Sequence, residues 1–397
     1  MKKLLSFRFL ILISILAISA ALFAAGCEKK MEPGPEEVTE DLGPIKIGFA
    51  GPMSGDAAAY GEIIRNGIMM KIEEINEAGG INGRMMELVV GDELCDPKEA
   101  ATIAQKFASD EEILAVVGHV CSSATLAALP YYKDAGLPAV SPTATNVDVC
   151  KKSEWMFRDV YRDDFQGEFM AKYAKEVLGL TTVGIFHENN DYAIGLMEAF
   201  KKGAEEIGLE VVGVESYVKD TVDFTPQLTK FKHLAPDGIF IAGYYQQGGL
   251  ILNQAKKLGL ITQFMGADGL NNPKLIEIAG EDASSGFIAS SPFVYEAAGG
   301  EALKFKKNFE KKYNGMTPDW MAANGYDAVG IIAKAIEECG ADRAKIRDCL
   351  AGMNTADKGY KGITGVTFFD ENGDCLKPAY VTIIKGGEFV AAEKQMF

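Results

Sequence analysis

Short apolar runs and longer amphipathic stretches alternate along most of this chain. Ile45-Lys46-Ile47-Gly48-Phe49-Ala50 reads as a strand entering a Gly/Pro loop, GPMSGD at 51–56. From about Tyr60 to Ala78, the residues Ile64, Ile68, Ile72 and Ile75 share one helical face, and Gly79-Gly80 stops the helix. The same pattern predicts strands at 87–90, 113–118 and 139–140, with helices at 97–109 and after Cys121. It resumes with strands at 182–186, 209–214 and 238–242, and helices at 193–207, 225–233 and 249–258. Strands alternating with helices of this length predict parallel sheets with helices on both faces. The break near 158–164 predicts two α/β lobes. Further on, 300–313 and 319–339 read as helices, and 365–369 and 379–385 as strands. No repeat of solenoid length is visible.

The N-terminus follows a different pattern. Lys2, Lys3 and Arg8 precede an apolar run from Phe9 to Ala25, interrupted only by Ser14 and Ser19. Ala24-Ala25-Gly26-Cys27 then resembles a bacterial lipoprotein signal, with small residues before a cysteine that takes a lipid. The competing readings are an uncleaved anchor or an ordinary signal. The expectation is a removed leader at 1–26, an acylated Cys27 and a flexible tether at 27–43, rich in Glu, Pro and Gly. Export implies an oxidising compartment, where cysteines pair. Six remain after Cys27, enough for three bridges in many connectivities. Cys95–Cys121 is the first expected pair and Cys339–Cys349 the second. Cys150 and Cys375 are left without a geometric argument.

Composition narrows the function. At 48% hydrophobic and 24% charged residues, the chain is ordinary globular protein rather than disordered. Its formal charge of −16 is the wrong sign for a nucleic-acid binder. The three histidines, His119, His187 and His233, lack metal-ligand spacing. No P-loop, G-x-G-x-x-G or G-x-S-x-G motif occurs, and no metal or cofactor is expected. His119-Val120-Cys121 raises a thiol hydrolase as an alternative, although a bridged Cys121 would exclude it.

The segments with binding potential are loops at the carboxyl ends of predicted strands, where parallel α/β sheets hold ligands. In GHVCSSAT (118–125) a strand ends and a helix begins near Ser122 or Ser123. Unpaired helix N–H groups and a hydroxyl there suit a carboxylate. The plainer reading is a serine capping its own helix. SPTAT (141–145) follows the next strand, and Thr145 offers an N–H and a hydroxyl to an anion. Gly243-Tyr244-Tyr245-Gln246 and the loop holding Asp268 complete the set, with Asp268 suited to an ammonium group.

INEAGGINGR (75–84), CDPKEA (95–100), GHVCSSAT, SPTAT and ITQFMGADG (261–269), in this order, resemble the branched-chain amino-acid binding proteins of bacterial ATP-driven importers. Those are type I periplasmic binding proteins. The resemblance runs from Pro44 to the C-terminus. It implies two doubly wound parallel-sheet lobes joined by three hinge crossings, with boundaries at 44–159 and 293–363 for the first lobe and 160–292 and 364–397 for the second. It implies that Ser122 and Thr145 hold the α-carboxylate of an amino acid and that the Thr143 carbonyl receives the ammonium. A family Glu that also holds the ammonium is replaced here by Asp268, one methylene shorter. Tyr60, Tyr192 and Tyr244 map to the walls of the side-chain pocket, and the helix near Trp320–Tyr326 adds another wall. The family bridge near the site maps to Cys95–Cys121. The implied partners are a membrane permease and, through Cys27, the membrane surface. A sensor passing ligand state to a signalling partner is the alternative among binding proteins, and an amide is the alternative ligand.

Overall fold

A computed structural model describes residues 43–396. The expected leader, Cys27 and the tether before Gly43 lie outside the described residues. Five strands form an all-parallel sheet: β1 (Ile45–Gly51), β2 (Met86–Asp92), β3 (Ile113–Gly118), β4 (Ala139–Ser141) and β5 (Met156–Arg158), in the order β2-β1-β3-β4-β5. Ile45, Ile47 and Phe49 of β1 and Ala115, Val116 and Val117 of β3 are buried. Neighbouring residues buried on opposite faces are what helices on both sides of a sheet produce.

The second sheet holds β6 (Thr182–Glu188), β7 (Glu210–Tyr217), β8 (Gly238–Ala242), β9 (Gln263–Gly266) and β10 (Ile288–Ser291). A separate hairpin, β11 (Tyr360–Gly362) and β12 (Gly365–Thr367), takes up the start of the strand expected at 365–369. The chain then returns to the second sheet as β13 (Tyr380–Lys385) and β14 (Glu388–Ala391), giving the order β14-β13-β10-β9-β8-β6-β7. This sheet departs from the all-parallel expectation, because β13 runs antiparallel to both β10 and β14. The Gly386-Gly387 turn, with φ of 59° and 79°, joins β13 to β14 directly, so no crossover helix is needed. β10 and the helices Asp163–Lys172 and Arg343–Gly352 were not anticipated.

The chain passes between the two sheets three times: after β5, after β10 and after β12. Beyond the second passage, helix Trp320–Cys339 packs along helix Ala58–Glu77 of the first sheet's layer. A Cβ at Gly67 would meet the Ala322 carbonyl oxygen at 2.1 Å, so the two backbones touch only because Gly67 has no side chain. Buried ions knit the passages together. Arg158 Nε donates to Asp374 Oδ1 at 2.6 Å, and Arg158 Nη1 donates to the carbonyls of Ala144 (3.1 Å) and Asn146 (2.9 Å). Lys377 Nζ lies 2.9 Å from Asp159 Oδ1, which also accepts from Thr367 Oγ1 at 2.7 Å.

Cys95 is bonded to Cys121 and Cys339 to Cys349, with Cα separations of 5.4 and 6.2 Å. Cys150 and Cys375 are buried and unbonded, so they do not make the third bridge that an even cysteine count allowed.

Candidate functional site

Helix Ser122–Ala135 begins where β3 ends, and Cys121, with no side chain suited to capping, stands at the N-cap. Neither following serine caps this helix, against the plainer reading of the motif. Ser122 Oγ accepts from Asn146 N at 3.2 Å, and Ser123 Oγ accepts from Asp191 N at 3.1 Å, across from the second sheet's layer. The SPTAT loop is folded on itself. Ser141 Oγ accepts from Ala144 N at 2.9 Å and donates to the His119 carbonyl at 2.7 Å, while Thr143 Oγ1 donates to the Val120 carbonyl at 2.7 Å. These bonds bring Ser122 and Thr143 side by side.

From the second layer come Tyr192, Tyr244 and Asp268. Tyr192 sits in the first turn of helix Asp191–Glu206, whose N-cap Asn190 accepts from Ala193 N at 2.8 Å. Tyr192 and Tyr244 stack at 5.2 Å with an interplanar angle of 15°, and Tyr60 meets Tyr244 edge-on at 5.9 Å. Gly269 next to Asp268 has to be glycine, because a Cβ there would lie 2.8 Å from the Gly243 carbonyl and 2.9 Å from the Tyr192 hydroxyl.

Tyr60, Ser122, Thr143, Tyr192, Tyr244 and Asp268 thus line one cavity, with Val120, Cys121, Gly269, Trp320 and Met321. Trp320 and Met321 supply the wall expected from the helix near Trp320–Tyr326. The Trp320 indole N–H is buried and has no partner among the described residues. Thr145 departs from expectation, for it is fully buried but does not line this cavity. Its carbonyl accepts from Asp163 N at 2.9 Å, and its hydroxyl adjoins the Asp163 carboxyl. Helix Asp163–Lys172 begins at this bond, so its first turn is packed against the SPTAT loop at Thr145.

The cavity is shut from both sides. The Tyr60 hydroxyl donates to the Gly269 carbonyl and accepts from Tyr245 N at 3.2 Å. Asn146 Nδ2 donates to the Asp191 carbonyl at 2.8 Å, and Lys219 Nζ to the Leu94 carbonyl at 3.1 Å. The enclosed space in this closed state is about 20 Å³.

Asp268 is nearly fully buried, and Oδ1 accepts from Gln166 Nε2 and from the Tyr192 hydroxyl, both at 2.7 Å. Burial pushes its carboxyl above the ordinary range, and these two donors hold it partly down. Asp163 is displaced further upward, by burial and then by the charge of Asp268. Gln166 was missed in the sequence. It shares a helical face with Asp163 and Met170, but a polar face-marker shows only once the helix itself is recognised.

His119 is occupied structurally, with Nδ1 2.5 Å from Glu93 Oε2 and Nε2 2.8 Å from the Tyr132 hydroxyl. The sulfur of Cys121 is bonded to Cys95, so the thiol nucleophile of the hydrolase reading is not free in this structure.

A second, wider cavity of about 440 Å³ adjoins the first, sharing Cys121 and Tyr244. Glu188, at the end of β6, lines it and is only 3% exposed. Burial pushes the Glu188 carboxyl up to about 7, against the pull of Asn190 and Lys219. Between its ordinary value and about 7, the folded chain holds a proton that the unfolded chain has lost, so stability falls as pH rises through this window. Glu188→Gln is expected to abolish about 2 kcal/mol of the stability lost between pH 5 and pH 8. Urea titrations at the two pH values check this, and equal pH slopes in the two proteins would contradict it.

A family model described as periplasmic binding protein matches residues 44–388. The chain belongs to the type I periplasmic binding protein family. It is 37% identical over 334 residues to the leucine-, isoleucine-, valine-, threonine- and alanine-binding protein of Pseudomonas aeruginosa, covering 83% of this chain and 87% of that one. It is 34% identical over 269 residues to the Leu/Ile/Val-binding protein of Escherichia coli, covering 66% and 73%. Among solved structures, the branched-chain amino-acid transporter substrate-binding protein LivJ of Streptococcus pneumoniae, in complex with isoleucine, superposes with a TM-score of 0.83 at 33% identity, covering 89% of this chain and 100% of that one. The leucine-binding protein LivK of Thermotoga maritima superposes at 0.82 and 33%, covering 88% and 97%. The family and these relatives are binding proteins, and the family places such chains in the periplasm or at the extracellular face.

Proposed function

We propose that this periplasmic binding protein traps an amino acid with an apolar, branched side chain by cleft closure and delivers it to the permease of an ATP-driven importer. The observation that carries this reading is that hydroxyls from one sheet's layer and a buried acid from the other face a single cavity with aromatic walls. Ser122 and the start of its helix receive the α-carboxylate, and the Thr143 carbonyl and Asp268 receive the ammonium. Val120, Tyr60, Tyr192, Tyr244, Trp320 and Met321 surround the side chain. The relatives' ligands support the same class.

The lobes run through 44–159 with 293–363, and 160–292 with 364–397. Ligand favours closure because only then does it meet both layers. Hydrogen bonds to charged groups contribute roughly 1.5–3 kcal/mol each, so four of them support micromolar binding after ordering costs. Lipid on Cys27 keeps the protein beside its permease.

Calorimetric titration with each of the twenty amino acids tests the proposal. Leucine, isoleucine or valine is expected to bind with micromolar or tighter affinity. Silence from all twenty would overturn it.

A further inference from the structure

Helix Ser122–Ala135, whose start receives the carboxylate in the reading above, is tied at two places to the chain that follows β2. At its N-cap, Cys121 is bonded to Cys95. Towards its far end, the Tyr132 hydroxyl lies 2.8 Å from His119 Nε2, and His119 Nδ1 lies 2.5 Å from Glu93 Oε2. At about 1.5 Å per residue, the backbones of Cys121 and Tyr132 stand roughly 16 Å apart along the axis. A rod held at one point can swing about it; held at two, it cannot. Glu93 and His119 are fully buried and Tyr132 nearly so, which keeps water from competing for the second tie.

Both ties end in one short segment, Glu93-Leu94-Cys95. It is sharply turned, with φ of 56° at Leu94 and 48° at Cys95. It is pinned by Glu93 N to the Gly51 carbonyl at 3.2 Å and by Asp96 N to the Glu93 carbonyl at 2.8 Å. His119 also serves the ammonium side of the site. Its carbonyl accepts from Ser141 Oγ, the atom around which the SPTAT loop folds to present Thr143. The imidazole therefore stands between the two halves of the amino-acid contact without lining the cavity itself.

We infer that His119, braced between Glu93 and Tyr132, is a positioning residue for the amino-acid site: jointly with the Cys95–Cys121 bridge, it holds helix Ser122–Ala135 at the angle at which Ser122 and the first N–H groups meet the carboxylate. The inference rests on the amino-acid reading of the cavity. It gives a buried histidine with no place on the cavity wall control over affinity.

The test is a double-mutant cycle read by calorimetry with leucine, isoleucine and valine, at a temperature where circular dichroism shows every protein folded. Tyr132→Phe removes only the hydroxyl of one tie, and Cys95→Ala with Cys121→Ala removes the other. Each is expected to weaken binding at least threefold, and all three substitutions together by more than the product of the separate losses. Leu350→Ala, buried in helix Arg343–Gly352, lowers the melting temperature without touching either tie and is expected to leave affinity within twofold. Should the combined protein fail to fold, Tyr132→Phe against Leu350→Ala still decides. A loss below threefold in Tyr132→Phe, a combined loss no greater than the product, or an equal loss in Leu350→Ala overturns the positioning role and leaves the site standing. Silence of the unaltered protein towards all three amino acids overturns the amino-acid reading and the inference with it.

Discussion

Asp374→Ala is expected to cost about 3–5 kcal/mol of folding stability. Asp374 is one of the two buried partners that hold the passages between the sheets. Its removal leaves the Arg158 guanidinium, with none of its surface exposed, without its carboxylate. The half-exposed Arg162, 3.2 Å from Asp374 Oδ2, loses a partner too, but water replaces it cheaply. Replacing both ions at once, as Arg158→Met with Asp374→Leu, is expected to recover only part of the loss. Arg158 also satisfies the carbonyls of Ala144 and Asn146, which a methionine leaves bare. Guanidinium titration of the three proteins measures these differences. A loss below 1 kcal/mol for Asp374→Ala would mean that water reaches the pair.

Asp268→Asn is expected to weaken binding of the cognate amino acid at least a hundredfold while leaving the melting temperature close to unchanged. An asparagine oxygen still accepts from Gln166 and Tyr192, so the local hydrogen bonds survive. What is lost is the negative charge opposite the ligand's ammonium, and a desolvated charge pair broken on one side costs about 2–5 kcal/mol. The sign of the pH dependence follows. Binding needs the ionised carboxylate, and burial raises its pKa, so affinity falls as pH drops through that raised value. Calorimetry at neutral pH decides the matter, and a loss under threefold would remove Asp268 from the site.

The shorter acid at this position also shows how far the sequence could be read. The strands β1 and β3, the stop at Gly79-Gly80 and the helix Pro97–Ser109 were legible because each has a local cause: an apolar run, a positive φ, or the Asp96 cap with Pro97 behind it. β10 was not, since Ile288-Ala289-Ser290-Ser291 is half polar, and its serines are buried by neighbours distant in sequence. The antiparallel edge was equally hidden, because a strand's direction is set by the turn that precedes it and by the partner it finds. Motif order grouped Ser122, Thr143, Asp268 and the three tyrosines, and these six residues line one cavity. The depth of Thr145 and the support from Gln166 were not legible. Both depend on where helix Asp163–Lys172 docks, and that docking is a long-range event.

The two unbonded thiols are built-in reporters of the hinge region. Burial raises Cys150 to about 12 and Cys375 further still, so neither forms a thiolate at neutral pH while its surroundings stay packed. Both belong to the neighbourhood of Arg158. A maleimide dye would therefore ignore the breathing of the cleft and label the chain only when the hinge core itself comes apart, timing collapse separately from ligand release.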